Sequence, residues 1–122
     1  MSLLHEELTE KVIGVCFEVS NELGSGFLES VYQKALTIAL TQKGLTVEAQ
    51  VPLKVKFRGQ VVGDFYADIL INSKLILELK STKSINPEHE AQMINYLEAT
   101  GLNVGLIINF GRTKLEWKRL VF

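Results

Sequence analysis

The stretch Val61–Ser81, VVGDFYADILINSKLILELKS, consists of two apolar-rich segments separated by Asn72-Ser73-Lys74, a pattern typical of a β-hairpin. A two-residue loop at Asn72-Ser73 would place Asp68 opposite Leu77 and mix apolar and polar side chains on both faces. A three-residue loop keeps the two kinds of side chain apart, because side chains alternate strictly along a strand. We therefore predict the three-residue loop. It fixes the opposing pairs of the hairpin: Ile71 with Leu75, Asp68 with Glu78, and Tyr66 with Lys80.

The predicted register gives the hairpin one face that is apolar throughout: Phe65, Ala67, Ile69, Ile71, Leu75, Leu77 and Leu79. The other face gathers the charged side chains: Asp64, Asp68, Glu78 and Lys80. Acidic residues are depleted in strand interiors, so their presence needs an explanation. One explanation is a solvated outer face with an ordinary Asp68–Lys80 pair. Leu70 and Ile76 share this face, however, and indicate that it is partly covered, where carboxylates must be paired or must hold a metal ion.

The residue types on the charged face suit metal-assisted phosphate chemistry. Carboxylate oxygens are the ligands that Mg²⁺ and Mn²⁺ prefer, and such ions keep waters that also contact phosphate. Glu78 and Lys80 lie two residues apart, so they point the same way from a strand. A lysine in this place would orient the attacking water and stabilise charge developing on phosphorus.

Outward from the hairpin, the hydrophobic periodicity predicts three helices and three further strands. The helices are predicted at Glu6–Leu23, Phe27–Lys43 and Pro87–Thr100, ending at Gly24, Gly44 and Gly101, with Asn86 as the N-cap of the third. The five strands are predicted at Val47–Phe57, Val61–Ile71, Leu75–Ser81, Asn103–Phe110 and Lys114–Val121. The order ααβββαββ indicates an α/β (α+β) fold with a central mixed sheet flanked by helices.

Composition sets the limits of the functional interpretation. The 122 residues are 47% hydrophobic and 22% charged, which predicts a single globular domain over residues 1–122. The net charge of −1 disfavours duplex binding, which usually relies on a basic face. No apolar run is long enough to span a membrane, and residues 1–7 lack the features of a signal peptide. Together with the single cysteine, Cys16, predicted to be a buried small hydrophobe, this favours a cytoplasmic protein.

The motifs resemble a known family. Asp68 followed by Glu78-Leu79-Lys80 resembles the core signature of the PD-(D/E)XK nuclease superfamily. Gly26-Phe27-Leu28-Glu29-Ser30-Val31-Tyr32 is similar to the pattern that names the GxxExxY protein family within it. Gln92-Met93-Ile94-Asn95-Tyr96 looks like the QxxxY motif of related nucleases.

The resemblance implies a restriction-endonuclease-like core and a set of site residues. It places the metal at Asp68, Glu78, the Leu79 carbonyl and Glu29, with Lys80 as the remaining catalytic residue. It also makes Gln92, Tyr96 and Tyr32 contacts to the substrate. Two alternatives remain open: Glu29 as a first-turn residue favoured by the helix dipole, and Gln92 and Tyr96 as part of a polar helix face.

The functional hypothesis is a Mg²⁺- or Mn²⁺-dependent nuclease that acts on nucleic acid, DNA more than RNA. The alternative is a catalytically inactive module of the same fold that binds nucleic acid or a protein. A third hypothesis is an assembly-dependent enzyme, either a homodimer or a subunit of a larger complex. Its pairing edge would be the apolar segment Leu115–Phe122, unless that segment is a last sheet strand with Trp117 in the core.

Overall fold

A computed structural model describes residues 4–122. Residues 1–3, part of the segment used above to argue against a signal peptide, lie outside the described residues. The helices are α1 (Glu6–Leu23), α2 (Glu29–Gln42) and α3 (Pro87–Thr100). The strands are β1 (Val47–Phe57), β2 (Gln60–Ile71), β3 (Leu75–Lys80), β4 (Val104–Asn109) and β5 (Glu116–Val121). The predicted order ααβββαββ is confirmed; its boundaries shift by one or two residues.

The five strands form one mixed sheet in the order β1-β2-β3-β4-β5. Every neighbouring pair is antiparallel except β3 and β4, which run parallel. A parallel pair needs a long crossover, and α3 supplies it. Its start is fixed by Asn86, whose side chain accepts from the His89 N–H while the His89 ring accepts from the Asn86 N–H. The predicted N-cap is therefore confirmed, and it fixes where α3 begins after β3.

The sheet is covered on both faces, which explains why β4 is buried along its whole length. Helices α1 and α2 pack against one face in the larger core, together with Ile69, Leu77 and Leu106. Helix α3 packs against the other face in a smaller core. Cys16 has no exposed surface and burial raises the pKa of its thiol to about 12, which confirms it as a buried hydrophobe. No helix in residues 4–122 is long and apolar enough to cross a membrane.

The predicted register of the β2–β3 hairpin is confirmed for the three pairs next to the turn. The paired residues are Ile71 with Leu75, Leu70 with Ile76, and Ile69 with Leu77. Lys74 N–H donates to the Ile71 carbonyl (3.0 Å), and Asn72 and Ser73 both adopt positive φ, at 50° and 55°. This tight turn sets the odd loop length that the sequence predicted.

The prediction of one continuous apolar face on β2 is wrong beyond Asp68. Ile69 belongs to the core under α1 and α2, whereas Ala67 belongs to the core under α3, and Phe65 contacts Tyr96 of α3. Opposite this point Gln50 of β1 adopts a φ of 53°, and it falls between the Ala49–Ile69 and Val51–Ala67 pairs. The β1–β2 hairpin thus exchanges its faces at Gln50 and Asp68. By strand alternation Asp64 points away from the face of Phe65, so it does not join the charged group predicted for it.

The predicted last strand is present as β5, and it lies at the edge of the sheet. Trp117 is 42% exposed, which corrects the alternative that placed it in the core; Leu115 is the buried residue of this segment. The single-domain division of the chain stays a prediction.

Candidate active site

The candidate site lies where β2 and β3 separate. Their ladder ends at Ile69 and Leu77, one residue short of the predicted Asp68–Glu78 pair, and it does not extend to Tyr66 and Lys80. Beyond this point, side-chain carboxyl groups accept the hydrogen bonds that the backbone N–H groups donate. Asp68 N–H donates to Glu78 Oε1 (3.2 Å), and Leu79 N–H donates to Asp68 Oδ2 (2.8 Å). The two carboxyl groups therefore occupy the gap between the diverging strands, facing each other as the register predicted.

Burial makes this carboxyl pair electrostatically unusual. Glu78 is only 5% exposed. Burial, followed by the neighbouring charge of Asp68, raises the pKa of Glu78 from 4.5 to about 8. Burial also raises the pKa of Tyr96, with smaller contributions from the charges of Glu78 and Asp68. Two acidic groups held together in a poorly solvated gap favour either a shared proton or a bound cation.

The Leu79 carbonyl is directed into the same gap. In a strand, the N–H and C=O of one residue point to the same side, and the Leu79 N–H points to Asp68. The Lys80 carbonyl points the other way, toward β4, where it accepts from Phe110 N–H (2.8 Å). Had the β2–β3 ladder continued, the Leu79 carbonyl would be paired with Ala67. Because the two strands diverge after Ile69 and Leu77, the ladder does not include a pair between Leu79 and Ala67.

Asp68, Glu78 and the Leu79 carbonyl thus supply hard oxygen donors around one gap, and this donor set fits a divalent cation. Mg²⁺ is commonly held by one or two carboxylates and keeps several waters, so two carboxylates suffice. Within residues 4–122, no group of three or more His, Cys, Asp or Glu side chains is placed to hold a metal ion.

Lys80 and α3 complete this side of the site. The Lys80 ammonium group donates to Gln92 Oε1 at 3.5 Å, which links β3 to the first half of α3. Tyr96 lies one turn later on α3, is 7% exposed, and its ring centroid is 5.9 Å from that of Phe65. The structure therefore brings Asp68, Glu78, Lys80, Gln92 and Tyr96 together, as the motifs predicted.

Glu29 lies farther from this group. It is exposed in the first turn of α2 and lines a shallow cavity with Ser81, the residue after Lys80. Gln33, one helical turn later, accepts from Gln50 Nε2 (2.6 Å), and the same Gln50 nitrogen lies 3.4 Å from Asp68 Oδ1. Glu29 therefore lies on the face of α2 that leads toward Asp68. It does not form a three-carboxylate group with Asp68 and Glu78.

The prediction that Tyr32 contacts the substrate is wrong, because Tyr32 has no exposed surface. Its hydroxyl donates to the Gly24 carbonyl (2.6 Å) and accepts from Phe27 N–H (3.2 Å), and its ring stacks on Phe110. Tyr32 instead holds the corner between α1 and α2. That corner meets the end of β3, where Ser81 Oγ donates to the Phe27 carbonyl (3.0 Å).

Two features of the site were missed by the sequence interpretation. Gln50, which contacts Asp68 at a positive φ, has no recognisable pattern. The sequence does contain a signal for Asn109, since a lone polar residue in a fully buried strand must find hydrogen-bond partners. Its side chain bonds both Thr82 N–H and Thr82 C=O (3.0 Å each), Gly111 N–H (2.9 Å) and Glu116 (3.0 Å). The hydrogen bond that Asn109 Nδ2 donates to Glu116 Oε1 is the main reason why the pKa of Glu116 is lowered.

Glu116 extends the network by accepting from Ile85 N–H (2.9 Å). Asn109 and Glu116 together fix both ends of the segment between Ser81 and Asn86. That segment joins Lys80 on β3 to Gln92 on α3. The network therefore sets the distance between the two motifs of the site.

Comparisons with known proteins agree with this architecture. The family model of the PD-(D/E)XK nuclease superfamily matches residues 6–120. The crystal structure of SSO0001 is similar with a TM-score of 0.58 at 17% sequence identity, over 96% of this chain and 59% of that one. At this identity the similarity shows the fold alone, and this chain spans less than two thirds of the length of SSO0001. No curated protein matches the sequence significantly. The narrower GxxExxY assignment stays a prediction.

Proposed function

The chain belongs to the PD-(D/E)XK nuclease superfamily, and from this premise we propose that it is a metal-dependent nuclease that hydrolyses phosphodiester bonds of nucleic acid, DNA more than RNA. The observation that carries the proposal is the Asp68–Glu78 carboxyl pair in the gap between β2 and β3, with Lys80 beside it. A structural role would not require two acidic side chains to replace the last backbone hydrogen bonds of a hairpin.

Asp68, Glu78 and the Leu79 carbonyl would hold the metal ion, Mg²⁺ or Mn²⁺. Glu29, which is exposed at the start of α2, would contribute through a bound water. The ion, when bound, neutralises the phosphate charge and lowers the pKa of an attacking water. The carboxyl of Glu78 must lose its proton first, because a ligating carboxylate is ionised.

The remaining residues act on the substrate. The ammonium of Lys80 would lie next to the scissile phosphate, where it stabilises negative charge that develops on the phosphate oxygens. Gln92 holds Lys80 through its side-chain carbonyl and so limits the positions that the ammonium can occupy. Tyr96, close to both carboxyl groups, would contact the substrate backbone near the bond that is cleaved.

The test is cleavage of single-stranded, duplex and nicked DNA and of RNA, with and without Mn²⁺. Asp68→Asn and Lys80→Met are expected to abolish metal-dependent cleavage and to leave the fold intact by circular dichroism. Lys74→Met is the matched control, because exposed Lys74 lies at the opposite end of β3 from Lys80. The proposal fails if the wild-type protein cleaves none of these substrates, or if Lys80→Met cleaves as well as Lys74→Met.

The alternative is a catalytically inactive module of the same fold that binds nucleic acid or a protein partner, alone or as a subunit of a larger assembly. Two observations favour it: the net charge of −1, and the lack of a third acidic ligand beside Asp68 and Glu78 within the described residues. Calorimetric titration with Mn²⁺ separates the two functions, since an inactive module of this kind need not bind metal. A homodimer through edge strand β5 and a cytoplasmic location are further parts of the proposal.

A further inference from the structure

A groove leads away from the candidate site between α3 and the outer part of the β1–β2 hairpin. We call it the hairpin groove; its cavity volume is about 970 Å³. Gln92 and Tyr96 line it and also belong to the candidate site, so the groove and the site are continuous. The groove exists because the hairpin exchanges its faces at Gln50 and Asp68, which turns Phe65 toward α3.

We propose that the hairpin groove binds a single-stranded segment of nucleic acid and delivers it to the carboxyl pair. The inference rests on the proposed function and adds the class of substrate, namely strands with unpaired bases. The occupant follows from the side chains of the two walls and the floor.

Positive charge lies at the outer rim of the groove, on edge strand β1, because Lys54 pairs with Asp64 on the face that points away from Phe65. Lys54 and Lys56 are exposed there, and neither forms a salt bridge with another residue in the range 4–122. The helix wall carries Glu88 and Glu98. Phosphates are attracted to the lysines at this rim and repelled from the helix wall, so the backbone of a bound strand lies along the outer edge of β1 and its bases turn toward α3.

The floor and the helix wall suit exposed bases. Phe65 is 43% exposed although it is a large apolar ring, and it lies beside Tyr96. A base stacked on an aromatic ring gains binding energy regardless of its identity. Gln92 and Asn95, which also line the groove, present amide groups that hydrogen-bond with base edges.

The charge of the protein favours a single strand over a duplex. Duplex binding relies mainly on neutralising many phosphates, and this chain has a net charge of −1. Two lysines contact two phosphates at most, so most of the affinity must come from elsewhere. Stacking on Phe65 supplies it, and stacking of this kind is open only to bases that are not paired within a duplex.

The experiment measures fluorescence anisotropy of a short labelled oligothymidylate, and of a duplex of the same length, in EDTA so that no cleavage occurs. The single strand is expected to bind more tightly than the duplex. Phe65→Leu, which keeps an apolar side chain but removes the aromatic face, is expected to weaken single-strand binding about tenfold. Lys54→Gln combined with Lys56→Gln is expected to reduce the dependence of log affinity on log salt by about 1.4, since each single-strand phosphate contributes about 0.7.

Two controls leave the groove intact. Phe57→Leu changes an exposed aromatic residue at the tip of the same hairpin, and Lys74→Gln removes an exposed charge elsewhere. Both are expected to bind like the wild type. The inference is overturned if the duplex binds as tightly as the single strand, or if the groove variants bind like these controls.

Cleavage assays on the same variants separate this inference from the proposed function. If Lys80→Met binds the oligonucleotide normally but does not cleave it, the groove and the reaction are both supported. If wild-type protein cleaves with Mn²⁺ and Phe65→Leu keeps its full kcat/KM on single strands, the groove proposal alone is wrong. If the groove variants lose binding while the wild type cleaves nothing, the nuclease proposal alone is wrong.

Discussion

Replacing Glu78 by Gln is expected to change how the stability of the metal-free protein depends on pH. The Glu78 carboxyl ionises near 4.5 in the unfolded chain and near 8 in the fold, because of burial and the charge of Asp68. Between these values the unfolded chain releases a proton that the folded protein retains. Unfolding therefore becomes easier as pH rises, and the stability present below pH 4.5 is lost progressively up to the folded pKa.

The size of the effect follows from the two pKa values. A difference from 4.5 to about 8, at about 1.36 kcal/mol per pKa unit, corresponds to about 5 kcal/mol. Relaxation of the gap between β2 and β3 would reduce this, so a loss of about 2–5 kcal/mol between pH 4.5 and pH 9 is expected. Glu78→Gln keeps the shape of the protonated side chain and cannot ionise, so it should lack this part of the pH dependence.

The assay is urea denaturation in EDTA at pH 5, 7 and 9. Wild-type protein and Glu78→Gln should have similar unfolding free energies at pH 5, and the variant should be more stable by about 2 kcal/mol or more at pH 9. Glu10→Gln, in an exposed position of α1, is the control for loss of one negative charge. The reasoning is refuted if the wild type and Glu78→Gln differ by a constant amount at all three pH values.

Three further predictions concern metal binding and the framework of the site. In Mn²⁺ titration calorimetry, affinity should rise up to about tenfold per pH unit between pH 6 and 8, because the ion displaces the proton of Glu78; a pH-independent affinity would contradict this. Asn109→Ala should lower the unfolding free energy by about 3 kcal/mol in urea denaturation, because it removes the hydrogen bonds of the buried Asn109 side chain to Thr82, Gly111 and Glu116; a loss below about 1 kcal/mol would show that the network is not needed. Tyr32→Phe should cost about 1–2 kcal/mol by removing both hydrogen bonds of the hydroxyl, and it should leave single-strand binding in EDTA unchanged, whereas weakened binding would restore Tyr32 as a substrate contact.

The sequence predicted the order of elements and the hairpin register well because both depend on local patterns. Glycine and the Asn86-Pro87 pair marked the helix ends, and the periodicity of apolar residues separated helices from strands. The Asn72–Lys74 loop allowed only one register in which the buried set near the turn stayed apolar. That register was enough to place Asp68 against Glu78.

The sequence did not predict what happens beyond Asp68, where the chain departs from regular alternation. The positive φ of Gln50 belongs to a non-glycine residue and leaves no mark in the sequence. The sequence pattern therefore does not predict the exchange of faces, and it places Phe65 and Ala67 on the wrong face of the sheet. The hairpin groove depends on this irregularity, so it was visible only in the structure.

Tyr32 shows the limit of a motif as a guide to a role. Its place in the GxxExxY pattern suggested a contact with substrate, but a pattern does not specify which face of α2 points inward. The structure buries Tyr32 against Phe110 and uses its hydroxyl to shape the corner before Glu29. Glu29 itself is at the surface of that corner, where a water-mediated contact with the metal remains a proposal.

The central claim is that Asp68, Glu78 and the Leu79 carbonyl form a divalent metal site in the gap between β2 and β3. Crystals soaked in Mn²⁺ and measured at the manganese absorption edge test it most directly, because anomalous scattering locates the ion without assumptions about activity. We expect one strong anomalous peak bound by these three groups, absent in Asp68→Asn. A Mn²⁺ ion bound only elsewhere, or no peak in this gap at saturating Mn²⁺, would contradict the claim.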